Sequence, residues 1–266
     1  MPTEFNPFRH LPRGYLSPSQ VNSFMLCPQA WYLQYVEKQP SLTSLPAISG
    51  QTMHSVLEED NHHVVDAGEH MSLVDTLEVW SDEWDKRQED LTDKADRDKK
   101  DVHVVQAGHW MDQYLTKYEE LDDLTPRSKQ DIERKVEGEV GGVPIRGIVD
   151  LVSSSGKTEF VEVVDYKTGK RKNPHELETG VQMGIYASIL DVPSVRYETF
   201  VNNKTPVIQT IQAHRTKRSI AKVERVVTGV STAISKGSFP FCAPDSWKCN
   251  QKYCGVWHAC KQGGKA

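Results

Sequence analysis

Apolar residues recur at helical spacing through the first half of the chain and switch to alternation near residue 130. Val21, Phe24, Met25, Tyr32 and Tyr35 mark a first helical region, with Ser17 placed to cap it and Pro18 at its first position. Cys27-Pro28 interrupts that pattern and predicts a kink or two short helices. Residues 37–48 read as a Ser- and Pro-containing linker, and Gly50 then opens a helix with a stripe of Met53, Val56, Leu57 and Val64. Residues 72–121 read as further helices: Leu73, Leu77 and Trp80 share a face, mixed charge is dense from 82 to 101, and an apolar pattern returns from Val104 to Tyr118.

From Ile132 the period changes to two. Ile132–Val140 alternates apolar with charged residues, Gly141-Gly142 supplies a two-residue hairpin turn, and the chain returns over Val143–Val152. A polar turn at Ser153–Gly156 leads into a strand ending in Asp165, Tyr166 and Lys167. A helix over 176–190, strands over Val195–Val201 and Val207–Ala213, and a helix from about 216 to 235 complete the pattern.

The 266 residues suit one large domain or a domain with a helical appendage. With 32 Lys and Arg against 37 Asp and Glu the net charge is −5, so any nucleic-acid track must be locally basic. There is no run of 18 apolar residues and no apolar core in the N-terminal stretch; the expectation is a cytoplasmic protein without a membrane partner. Its five cysteines are then expected to be reduced rather than disulfide-bonded.

Candidate chemistry gathers between 147 and 168. Asp165 and Lys167, two apart on a strand, point to one face, and Asp150 reaches the same face from the partner strand. Carboxylate oxygens suit hard cations such as Mg²⁺ or Mn²⁺. A neighbouring lysine can act on a water or stabilise a developing oxyanion. Lys170 and Arg171 follow directly, placed for a substrate phosphate. In the tail Cys249, Cys254 and Cys260 form C-x(4)-C-x(5)-C, a set that needs a fourth ligand, with Cys242 and Cys27 as the candidates. The missing C-x(2)-C knuckle leans toward an iron–sulfur cluster over Zn²⁺, although spacing alone does not separate them. His62, His63 and His70 match no motif and are expected at the surface.

The D…D-x-K arrangement resembles the PD-(D/E)xK nuclease superfamily, and the wording GIVD…VVDYKTGK is similar to its RecB-like branch. Cysteine-proline, histidine, aspartate, D-x-K, Q-x-x-x-Y and three cysteines arrive in that branch's order from Ser17 to Cys260. The resemblance implies an α/β fold: a restriction-endonuclease-like mixed sheet flanked by helices, with a helical insert and a cysteine-ligated tail. The whole chain would be one nuclease domain, with segments 15–36 (N-terminal helices), 50–121 (helical region, which would roof the site), 130–236 (catalytic core) and 240–266 (tail). Gly50 and His54 fit G-x-x-x-H, which makes His54 a metal ligand beside Asp150, Asp165 and the Tyr166 carbonyl, with Lys167 acting on the attacking water. Gln182 and Tyr186 would contact DNA, and Cys27 would join Cys249, Cys254 and Cys260 around a [4Fe-4S] cluster, leaving Cys242 apart.

The implied activity is metal-dependent DNA hydrolysis, as an exonuclease on single-stranded ends, in recombination, repair, phage replication or CRISPR adaptation. Protein partners from a recombination or CRISPR complex would accompany it. The alternative is a non-cleaving DNA-binding or adaptor subunit that keeps the fold.

Overall fold

The structure is a computed structural model that describes residues 10–41, 43–91, 94–119, 121, 124–154 and 161–263. Two short helices, α1 (Pro18–Leu26) and α2 (Pro28–Tyr35), meet at Cys27. Ser17 and Gln20 form a capping box at the start of α1. Pro28 disfavours helical backbone in the residue before it, so Cys27 is extended and its Sγ caps α2 by accepting from the Ala30 N–H at 3.4 Å.

Helix α3 runs Leu45–Ala67, so it starts ahead of Gly50 and absorbs the end of the expected linker. Pro46 in its first turn tolerates the absence of an N–H there. Gly50 lies inside the helix for a different reason: a Cβ at this position would stand 2.8 Å from Thr168 Oγ1, so glycine lets α3 approach the end of a central strand. Helices α4 (Leu73–Arg87) and α5 (Lys100–Lys117) follow.

The sheet contains β1 (Thr125–Pro126), β2 (Ile132–Val140), β3 (Val143–Ser154), β4 (Val161–Gly169), β5 (Ser194–Val201) and β6 (Val207–His214). Its order is β1-β3-β4-β5-β6, with β2 also paired to β3. Gly141 and Gly142, at φ +59° and +73°, make the β2–β3 turn, and Val140 pairs with Val143. The expected turn at 153–156 reaches beyond the described residues; Ser153 and Ser154 are still strand. Among the described strands β4 and β5 alone pair in parallel, and their crossover carries two helices, α6 (Pro174–Thr179) and α7 (Val181–Leu190), where one was expected. Gly180 separates them: its extended backbone ends α6, and a Cβ there would meet the Glu176 carbonyl at 2.5 Å. Helix α8 (Lys217–Ser235) closes the core.

Side-chain alternation on β4 divides the interior in two. Val163 faces a core built with Val21, Trp31, Met183 and Val227 from α1, α2, α7 and α8. Val164 and Tyr166 face a second core built with Trp80, Trp84, Trp110 and Tyr114 from α4 and α5. The helical insert therefore buries one face of the sheet. His70 is a correction to the surface expectation: its Nδ1 lies 2.7 Å from Oδ2 of fully buried Asp60. His62 and His63 are half-buried. Among the described residues no helix is long and apolar enough to cross a membrane.

Candidate active site

The β3–β4 ladder stops at Leu151–Val164, one residue short of Asp150 and Asp165. Beyond it the strands splay, and the Tyr166 N–H, left without a ladder partner, donates to Asp150 Oδ2 at 2.7 Å. Asp165 Oδ2 lies 2.5 Å from Lys167 Nζ, as strand alternation requires. Gln182 from α7 brackets the pair: its Nε2 donates to Asp165 Oδ1 at 2.8 Å, and its Oε1 accepts from Lys167 Nζ at 3.4 Å. His54 enters from α3, one turn after Gly50, with Nδ1 3.5 Å from Asp150 Oδ2.

Glu133 completes this group, and sequence reasoning missed it. His54, Glu133 and Asp150 each offer a ligand atom, all within 4.8 Å of one another. Counting outward from the Gly141–Gly142 turn places Glu133 opposite Asp150, between the Ile132–Leu151 and Arg134–Val149 pairs. That register was the available signal. Glu133 adopts φ +43°, a left-handed conformation costly for a residue with a Cβ.

The electrostatics are those of crowded carboxylates. Burial, then the neighbouring Asp165, raises Asp150 to about 6 despite His54 and Lys167. Burial, then Asp150, Glu58 and Asp165, raises Glu133 to about 8. Burial works against the Lys167 charge, but Asp165 and Asp150 outweigh it and hold the ammonium above its ordinary range. An imidazole nitrogen and carboxylate oxygens whose mutual repulsion a cation would relieve fit Mg²⁺ or Mn²⁺.

The remaining expected residues divide into groups. The Tyr166 side chain points away from the site: its hydroxyl lies 3.3 Å from that of Tyr114 and accepts from Asn61 at 3.2 Å in the second core. Tyr186 is buried and donates to the Ile148 carbonyl at 2.5 Å, its ring filling the space that a Cβ at Gly147 would need. The polar groups of Gln182 and Tyr186 are thus engaged within the protein. Lys170 and Arg171 are exposed just past β4. Cys27 is buried, and Cys254 has both Cys260 and Cys27 as electrostatic neighbours. Cys242 does not stand apart as expected: burial, then the neighbouring Cys27 and Cys249, pushes its thiol up to about 12. The short tail folds back on the α1–α2 junction, where Gln29 N–H donates to the Pro240 carbonyl at 3.2 Å.

The sequence pattern of the PD-(D/E)XK nuclease superfamily matches residues 15–261, and the chain belongs to that superfamily. None of the curated proteins matches it. Among solved structures, a protein of Eubacterium rectale provisionally named an exonuclease is similar over 94% of this chain and 92% of its own. Its TM-score is 0.50 at 11% identity, which shows a shared fold. The protein SSO0001 covers 79% of this chain and 96% of its own at 14% identity, with a TM-score of 0.38. The curled mixed sheet flanked by helices is the restriction-endonuclease-like core of the superfamily. Membership implies a divalent-metal-dependent phosphodiester hydrolase with DNA as its substrate.

Proposed function

We propose that the protein is a RecB-like exonuclease acting on single-stranded DNA ends, folded as one nuclease domain. The observation that carries the reading is the convergence of His54, Glu133 and Asp150 beside the Asp165–Lys167 pair. His54, Glu133, Asp150 and Asp165, with the Tyr166 carbonyl, would hold Mg²⁺ or Mn²⁺. When bound, the metal supplies Lewis acidity toward the phosphodiester and lowers the pKa of water.

The chain's own groups do the rest. Lys167 is protonated in the metal-free site, so its role is to orient the attacking water and stabilise charge developing on phosphate oxygens. Gln182 holds Asp165 and Lys167 in register from a rigid helix. Tyr186 anchors that helix to β3. Lys170 and Arg171 add positive charge near the end of β4 for a passing phosphate.

Cys27, Cys249, Cys254 and Cys260 are proposed to hold a [4Fe-4S] cluster that ties the tail to the first helices, supported by Cys254 lying near both Cys27 and Cys260 and by Cys242 lying near both Cys27 and Cys249. Zn²⁺ at the cysteine site is the second reading, with Cys242 a further thiol beside Cys27 and Cys249. A cytoplasmic role in recombination, repair or CRISPR-linked processing follows the same reading.

Degradation of end-labelled linear and of circular single-stranded DNA, with Mg²⁺ or Mn²⁺, tests the activity. Linear substrate should be shortened from an end while circles persist. Cut circles overturn the exonuclease reading, and intact linear DNA overturns the nuclease.

A further inference from the structure

We infer that a cleft along the free edge of β3 carries a single-stranded DNA end to the catalytic carboxylates. The inference rests on the nuclease reading and names the path of its substrate.

Because β4 pairs with β3 only over 151–154, residues 146–148 have no β4 neighbour on that edge. The segment before α1 runs beside it: Leu16 N–H donates to the Pro144 carbonyl, and Arg146 N–H donates to the Leu16 carbonyl, each at 3.0 Å. Past this bridge the edge opens into a cleft of about 590 Å³ lined by Arg13, Tyr15, Lys135, Arg146, Ile148 and Tyr186.

Its chemistry suits a strand with unpaired bases. Arg13, Lys135 and Arg146 concentrate positive charge on a chain of net charge −5. Glu137 pairs with Arg146 at 2.7 Å and offsets one of them. The Arg146 guanidinium sits over the Tyr15 ring at 4.8 Å, forming a flat cationic platform, and Ile148 is 47% exposed beside it. Bases stack on such surfaces when they are unpaired. The N-terminus of α1, closed by the Ser17–Gln20 capping box, still directs the positive end of its dipole toward the cleft beside Ser17 and Ser19.

The cleft also leads to the right place. Lys135 pairs with Ile148, and two residues on, ~7 Å along the strands, Glu133 faces Asp150. On the cleft's other side Tyr186 holds Ile148, and one turn earlier on α7 Gln182 holds Asp165 and Lys167.

The test is binding of a fluorescent twelve-nucleotide oligothymidylate, with Ca²⁺ replacing Mg²⁺ to suppress turnover. The double variant Arg13→Ala/Lys135→Ala should weaken binding about tenfold or more and lower the slope of log K against log salt by ~1.4, or ~0.7 per lost phosphate contact. The variant Lys222→Ala/Arg225→Ala removes the same charge from exposed positions on α8 and should change neither. Tyr15→Ala should weaken binding of the single strand and leave an equal-length duplex unaffected, while Tyr15→Phe should retain binding. Equal effects of the two double variants, or none from either, overturn the cleft. A loss shared by single strand and duplex in Tyr15→Ala overturns the assignment to unpaired DNA. If the nuclease reading alone fails, the wild type binds through the cleft but degrades nothing. If the cleft alone fails, the wild type degrades DNA and the Arg13→Ala/Lys135→Ala protein does so equally well.

Discussion

Glu133 faces Asp150 across the β2–β3 hairpin at a left-handed φ of +43°, and with His54 the two place three ligand atoms within 4.8 Å of one another. Burial in a group of like charges costs stability until a cation enters. That makes the site a metal switch on the stability of the fold as well as on its chemistry.

Glu133→Gln should therefore raise the melting temperature of the metal-free protein and weaken its Mn²⁺ affinity. The sign follows from protonation. The native state keeps the Glu133 proton up to about 8, whereas the unfolded chain releases it near 4.5. Native protein binds more protons between those values, so wild-type stability falls as pH rises through that window. The melting advantage of Glu133→Gln should open from pH 4.5 upward and level off above 8, at roughly 2–4 °C per kcal/mol for a chain this size. Thermal melts across pH, with and without Mn²⁺, check both effects; a gap independent of pH would remove Glu133 from the group.

Asp150→Ala, Asp165→Ala and Lys167→Ala should each abolish cleavage, measured on labelled single-stranded DNA. Their stabilities should diverge. Removing Asp150 relieves repulsion and should stabilise the metal-free protein. Removing Asp165 takes from the partly buried Lys167 its nearest counter-charge and leaves only Asp150, a loss below the ~3–5 kcal/mol of a fully buried pair. Near wild-type turnover in any of the three would refute the assignment of this hairpin.

His54→Ala should raise the Mn²⁺ concentration for half-maximal activity by tenfold or more while lowering the saturated rate much less. An unchanged metal titration would show that the imidazole, 3.5 Å from Asp150, is a structural neighbour only.

Gln182→Ala should lower kcat by more than tenfold and leave KM for DNA nearly unchanged, because the amide holds Asp165 and Lys167. A rise in KM with kcat preserved would return Gln182 to direct contact with the strand.

Iron measured on purified cysteine variants tests the tail. Cys27→Ser, Cys249→Ser, Cys254→Ser and Cys260→Ser should each lose it, and Cys242→Ser should keep it although Cys27 and Cys249 are its neighbours. Serine is itself a favoured N-cap, so Cys27→Ser keeps the cap of α2 and reports on ligation alone. Loss of iron in Cys242→Ser with retention in Cys27→Ser would mean that the tail closes on itself.

The local pattern alone determined much of this protein. Pro28 dictated the α1–α2 break, Gly141-Gly142 the hairpin and its register, and period-two alternation placed Asp165 and Lys167 on one face. These are short-range consequences of backbone sterics and strand geometry, readable residue by residue. Tertiary structure decided what sequence distance hides. Glu133 joined the metal group because the hairpin laid it against Asp150 while α3, drawn close by Gly50, delivered His54 from nearly eighty residues away. Tyr186 turned inward because β3 left the Ile148 carbonyl free on its open edge. His70 was drawn inward to pair with buried Asp60, and Cys242 was brought beside Cys27 by the returning tail. In each case the partner is chosen by packing of distant elements, and a side chain's charge or spacing carries no record of which element will arrive opposite it.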